Sequence, residues 1–78
     1  MARNRPLVES DLGALAKRFR KQSGKTRAQA AREMGVAQTS IFYAEEGPRQ
    51  SLLKLRIRMI EAYSPFKVVG PHFRLKRK

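Results

Sequence analysis

The stretch QAAREMGVAQTSIFYAEE, residues 29–46, carries apolar side chains three and four positions apart on either side of a Gly-Val step. Ala30, Ala31 and Met34 form a narrow stripe before the glycine, and Ile41 and Ala44 resume one after it, a period that belongs to helices. Gly35 can take the left-handed conformation that stops the first helix, and Val36 buries the turn. Two short helices around a turn of about three or four residues have helix-turn-helix spacing. The second helix opens on Gln38 and Thr39 and presents Phe42 and Tyr43 one turn later. Whether that outer face is merely solvated or meets a partner is the functional question the stretch poses.

N-terminal to this unit, Thr26 followed three residues later by Gln29 makes a capping box. SDLGALAKRFRKQ, residues 10–22, places Leu12, Leu15, Ala16 and Phe19 on one helical stripe. Ser10 or Asp11 can cap its start, Gly24 ends it, and Lys17, Arg18 and Lys21 fall mostly on a solvated face. Gly13 inside that helix costs about 1 kcal/mol relative to alanine, for which a close backbone approach is the one available reason. Residues 1–9, MARNRPLVE, read as a basic arm, since Pro6 discourages a helix and Arg3 and Arg5 are placed to find phosphate or a minor groove.

On the C-terminal side, Gly47 and Pro48 end the helix that begins at Ala37 or Gln38. SLLKLRIRMIEAY, residues 51–63, is a fourth helix with Leu52, Leu53, Leu55, Ile57, Met59 and Ile60 on more than one face, which is more apolar surface than one small core needs. Ser64 and Pro65 break it. PFKVVGPHFRLKRK, residues 65–78, reads as a β-hairpin turning at Gly70 and Pro71, with Gly70 at the positive φ of a type II′ turn. Val68 then faces Phe73 and Phe66 faces Leu75, so these four apolar side chains share one side while Lys67 and Arg74 share the other. A lone hairpin is marginal in water, so Phe66, Val68, Phe73 and Leu75 are expected to pack on the helices, to pair with a second chain in a dimer, or both. The expected fold class is mainly α: a basic arm over 1–9, four helices over 10–63 and a C-terminal β-hairpin or strand over 64–78. A chain of 78 residues leaves no room for a second core.

Eighteen Lys and Arg against six Asp and Glu give a formal net charge of +12, which points to a polyanion as partner. Nucleic acid leads, because neutralising phosphates releases counterions and gives affinity before any base is read. No membrane role is expected, since the chain has no run of about 18 apolar residues and no helix joins a Lys/Arg stripe to a large bulky apolar face. The absence of cysteine removes disulfides, thiolate chemistry and zinc fingers together. His72 stands alone beside the hairpin turn, the acids are dispersed, and neither HExxH, a P-loop nor a Gly-rich cradle occurs. No catalysis, metal or cofactor is therefore expected, and the N-terminus shows no signal-peptide pattern, so the expected location is cytoplasmic.

Across residues 12–60, with Ala31, Gly35, Val36, Ile41 and Glu45 at typical spacing, the chain resembles the Cro and phage-repressor, or XRE, family of helix-turn-helix regulators. The resemblance implies a four-helix domain whose third helix lies in the major groove of double-stranded DNA. There Gln38 and Thr39 would meet base edges, with Phe42 and Tyr43 one turn on. Side-chain chemistry agrees: Gln can bond adenine at N6 and N7 together, Thr can donate, accept or touch a thymine methyl, and Phe can do the last. Phosphate contacts are expected from Lys25, Arg27 and Arg49 at the helix edges, joined by Arg3 and Arg5 of the arm. The resemblance also pairs Arg20 with Glu45 in a salt bridge that orients the third helix. Glu46 lacks such a role, and is left to screen Arg49 or to accept from a cytosine amine.

The chain departs from the family pattern in three places. Arg27 stands where glutamine is usual, Ala37 cannot cap the third helix as Ser or Thr would, and the hairpin replaces the fifth helix of many relatives. The last feature is closer to Cro, whose terminal strands form its dimer. The implied function is a sequence-specific transcriptional regulator, most simply a repressor, acting as a homodimer on a pseudo-palindromic operator. Two alternatives stand beside it: an antitoxin that also binds a protein toxin through the surplus apolar surface, and a small basic RNA-binding protein that prefers structured RNA.

Overall fold

In the computed structural model, which describes residues 9–47, 52–70 and 73–78, the chain runs α1 (Glu9–Gln22), α2 (Arg27–Met34), α3 (Gln38–Glu46), α4 (Leu53–Tyr63), β1 (Phe66–Val69) and β2 (Arg74–Arg77). The fold is mainly α, four helices followed by a two-stranded antiparallel hairpin, as the sequence predicts. The arm with Arg3 and Arg5, the loop residue Arg49, and Pro71 and His72 lie outside the described residues.

Local chemistry sets the ends of α2. Thr26 Oγ1 accepts from the Gln29 amide (3.1 Å) while the Gln29 side chain accepts from the Thr26 amide (2.8 Å), completing the capping box. At the other end Gly35 sits at φ 72°, its amide donates to the Arg32 carbonyl, and the Val36 amide donates to that of Ala31. These two bonds close a Schellman motif. For α1 the expected cap is corrected. The helix already includes Glu9, so Ser10 and Asp11 lie within it rather than at its boundary. Ala37 precedes α3 with no side-chain cap.

The core is built from Leu12 and Ala16 of α1, Ala30, Ala31 and Met34 of α2, Ile41 and Ala44 of α3, and Leu55, Met59 and Ile60 of α4, all buried. The alanines of α2 and α3 let these short helices approach closely. Gly13 serves the same end on α1: a Cβ built there would lie 2.8 Å from the Ala44 carbonyl oxygen, so only glycine lets α1 and α3 meet at this distance. The close approach supposed for Gly13 is present.

The hairpin needs a correction of register. Val68 pairs with Leu75 and Phe66 with Arg77, two positions away from the pairing expected, and Gly70 is not at positive φ. The side-chain assignment survives because strand faces alternate with a period of two, so a two-residue shift returns every side chain to its own face. The apolar face, expected to pack on the helices, to pair with a second chain, or both, lies on the chain's own helices and stays half-buried. Val68, Phe73 and Leu75 pack against the core, and the Phe66 ring stands 6.1 Å from that of Phe19. Ser64 Oγ accepts from the Phe66 amide (3.1 Å) and the Glu61 carboxylate from that of Val68 (3.1 Å), which covers the outer edge of β1. Among the described residues, no helix is long and apolar enough to cross a membrane.

Candidate nucleic-acid interface

With Ile41, Ala44 and Glu45 turned inward, helical spacing sets Thr39 and Tyr43 opposite them and Gln38 and Phe42 at the flank of the buried stripe, and all four are exposed. Phe42 and Tyr43 are the two exposed large hydrophobic residues among those described, 43 % and 44 % accessible, and their rings meet edge to face at 5.4 Å. Burying such rings in water-facing positions gains nothing in the folded monomer, so the pair is surface that a partner could cover.

Three layers of polar contact hold this helix still. The Arg20 guanidinium, on α1, grips the Glu45 carboxylate through Nε (2.5 Å) and Nη2 (3.1 Å), with the Glu45 side chain fully buried and that of Arg20 only 7 % exposed. The remaining terminal nitrogen of Arg20 donates to the Lys25 carbonyl (2.7 Å), which ties the α1–α2 turn to the same bridge. The salt bridge drawn from the resemblance is thus present. At the far end of α3, Arg56 of α4 is buried and donates to the carbonyls of Ala44 (2.8 Å) and Gly47 (3.1 Å). A cation at a helix C-terminus satisfies orphan carbonyls and favours the helix dipole at once. Arg58 does the same for α2 through the Met34 carbonyl (2.8 Å).

Sequence reasoning passed over Arg56 and Arg58. Arg56 carried a readable signal: it falls three and four residues before Met59 and Ile60, a charge set within an apolar stripe, and such a charge is buried only when paired.

The expected phosphate contacts look different in three dimensions. Arg27 is not a free cation: its Nε donates to Glu45 (3.0 Å), its Nη2 to Glu46 (2.9 Å), and its guanidinium lies 5.0 Å from the centre of the Phe42 ring. Lys17, read as part of a solvated face, also binds Glu46. The Glu46 carboxylate thus joins α1 and α2 to the end of α3, contacts that the sequence reading did not foresee, while Arg49 lies outside the described residues. The Lys17 ammonium, and then Arg27, hold that carboxyl below the usual carboxylate range against some desolvation. Lys25 pairs with Glu33 (2.8 Å), whose other oxygen accepts from the Tyr63 hydroxyl (2.5 Å). The Glu33 carboxyl is lowered by Lys25 first and Tyr63 second, while burial and that same carboxylate push the Tyr63 hydroxyl up.

The site therefore consists of an outward, mixed polar and aromatic helix face on a rigid base, edged by cations that are already partly neutralised. Arg27, 28 % exposed at its side chain, is held by Glu45 and Glu46 together. On the DNA-binding reading proposed below, Glu46→Gln is expected to strengthen binding to duplex DNA several-fold and to leave base preference unchanged, a result that titration of labelled duplexes at fixed salt would check. Weaker binding would mean that Glu46 serves mainly to hold α3 in place.

No protein-family model, curated protein or solved structure matches this chain. Among the described residues no group of His, Cys, Asp and Glu side chains could hold a metal ion.

Proposed function

We propose that this chain is a sequence-specific double-stranded DNA-binding regulator of transcription, with α3 entering the major groove and Gln38 and Thr39 reading base edges. The observation that carries the reading is the pairing of an exposed Gln-Thr start with a helix locked from behind by Arg20, Glu45 and Arg56. Specificity requires such rigidity, because a bidentate contact to a base is worth about 1–3 kcal/mol only when the amide is held in register with it. Phe42, one turn on, is placed to touch a thymine methyl. The net charge of +12 supports a polyanion and supplies affinity that falls with salt.

Selection of bound sites from a random duplex library tests this directly. A recovered consensus whose half-sites lie about 34 Å apart, one turn of DNA, supports two copies on a pseudo-palindrome. Gln38→Ala is expected to relax preference at one base position per half-site by about 1–3 kcal/mol while sparing the others. Uniform loss on every sequence would remove Gln38 from base reading.

The homodimer is part of the same proposal, and light scattering in solution should return about twice the 8.9 kDa of the chain. The hairpin face is occupied within the chain, so the second copy is better served by an open apolar groove of about 570 Å³ lined by Val36, Leu52, Leu53 and Leu55 with Ser40, Lys54 and Arg58 at its margin. That groove also favours the antitoxin reading as the second choice. A monomer in solution would shift the balance toward it.

A further inference from the structure

We infer that the outward face of the C-terminal hairpin is a second phosphate-binding surface, one that grips the backbone of duplex nucleic acid away from the α3 face. The inference rests on the DNA-binding reading and extends it to a part of the molecule that the helix-turn-helix unit does not include.

Four observations carry it. The register sets Lys67 directly opposite Lys76 and places Arg74 on the same face, and all three are exposed. In the alternation of the ladder, Lys67 and Lys76 form a hydrogen-bonded pair, for the Val68 amide turns outward to Glu61 while the Lys78 amide bonds the Pro65 carbonyl (3.0 Å). Their Cα atoms are then about 5.5 Å apart. Like charges directly opposite destabilise a hairpin, and a two-stranded one has little stability to spare.

Four of the six acids are committed elsewhere. Glu33 holds Lys25, Glu45 holds Arg20 and Arg27, Glu46 holds Lys17 and Arg27, and Glu61 takes the Val68 amide. The cations that edge α3 are thus paired within the chain, whereas Lys67, Arg74 and Lys76 have no acidic partner among the described residues.

The base beneath these cations is firm. Phe66 meets Phe19, Val68 and Leu75 pack on the core, and Arg77 lies 5.6 Å from the centre of the Phe66 ring. Lys78 binds the carbonyls of Glu61 and Ser64 and pins the end of β2 to α4. Along β2, Arg74 and Lys76 stand about 7 Å apart, close to the span of two phosphates at about 3.4 Å of axis each along one DNA strand. The hairpin packs through β1 chiefly on α4, with Phe66 against Phe19 of α1, so its cations stand on a different element from Gln38.

The test is the salt dependence of duplex binding by the full-length chain. Lys67→Gln, Arg74→Gln and Lys76→Gln combined should lower the slope of log K against log salt by about two to three units, weaken random and selected duplexes alike, and keep base preference. Its melting temperature should hold or rise, because an opposed charge pair is gone. A control that removes equal charge elsewhere, Arg18→Gln with Lys21→Gln and Arg32→Gln, all exposed, should change the slope by less than one unit.

An unchanged slope in the hairpin variant overturns the inference and leaves the α3 reading intact, provided the wild type still selects its site. Equal losses in both triple variants also overturn it, since net charge alone would then be acting. Wild-type chain that ignores duplex DNA but binds phosphatidylglycerol vesicles through these three residues would overturn both readings. Lys67→Arg with Lys76→Arg should preserve the slope, which separates charge from side-chain identity.

Discussion

Glu45→Ala is expected to cost about 3–5 kcal/mol of folding stability, because it strands the Arg20 guanidinium in the interior. The carboxylate accepts two bonds from Arg20 and one from Arg27, and its side chain is fully buried. After the substitution Arg20 keeps only the Lys25 carbonyl. A chain of 78 residues has a total stability of roughly 4–12 kcal/mol at about 0.05–0.15 kcal/mol per residue, so the loss consumes a large share of it. At about 4–8 °C per kcal/mol for a domain of this size, the melting temperature should fall by about 12–40 °C. Thermal denaturation followed by circular dichroism checks it.

The double substitution Arg20→Met with Glu45→Leu separates a buried charge from a lost contact. Well-packed apolar replacements of a buried ion pair are often neutral or stabilising, so this variant should recover most of the stability. If Glu45→Ala costs less than about 1 kcal/mol, the bridge does not hold α3, and the rigidity on which base reading depends has another source.

The second large effect belongs to Gly13. Helix propensity alone favours Gly13→Ala by about 1 kcal/mol. Packing opposes it, since the new methyl would sit 2.8 Å from the Ala44 carbonyl oxygen and 3.5 Å from both the Glu45 carbonyl oxygen and Arg56 Nε. The obstacle is backbone, not the end of a flexible side chain, so α1 and α3 must separate. That movement also lengthens the bond from Arg56 to Ala44, now 2.8 Å. Overpacking of this kind costs about 1–3 kcal/mol. The net expectation is a loss of up to about 2 kcal/mol for Gly13→Ala and about 3 kcal/mol for Gly13→Val, whose branched side chain cannot turn away from the carbonyl. Urea denaturation would read the series. A stabilised Gly13→Ala would show that propensity outweighs the clash and would falsify the close contact between α1 and α3.

These two residues illustrate how far the chain could be read in advance. Gly13 was visible as a cost without a cause, since a glycine in a helix is a local anomaly but the carbonyl it admits comes from α3. Glu45 became meaningful through the family resemblance, and its partner Arg20 lies 25 residues away. Of the outward set on α3, Thr39 and Tyr43 were legible from helical spacing alone, whereas Gln38 and Phe42 flank the buried stripe and their exposure depends on how α3 packs. Its electrostatic surroundings were not: Arg27 and Lys25 read as free cations, and each has found an acid.

By itself the sequence determined the four helices, the Thr26–Gln29 capping box, the left-handed stop at Gly35 and the alternation of faces in the hairpin. All of these depend on neighbours within a few residues, where propensity, capping and period act. The tertiary structure decided which of the many cations are neutralised, where Arg56 is buried, and how the strands are registered. Ion pairs such as Lys17 with Glu46 join residues 29 positions apart, so no local rule selects them. Register escaped for a related reason: a strand period of two conserves the faces under a two-residue shift, and only packing of Phe66, Val68 and Leu75 against the helices distinguishes one pairing from the next.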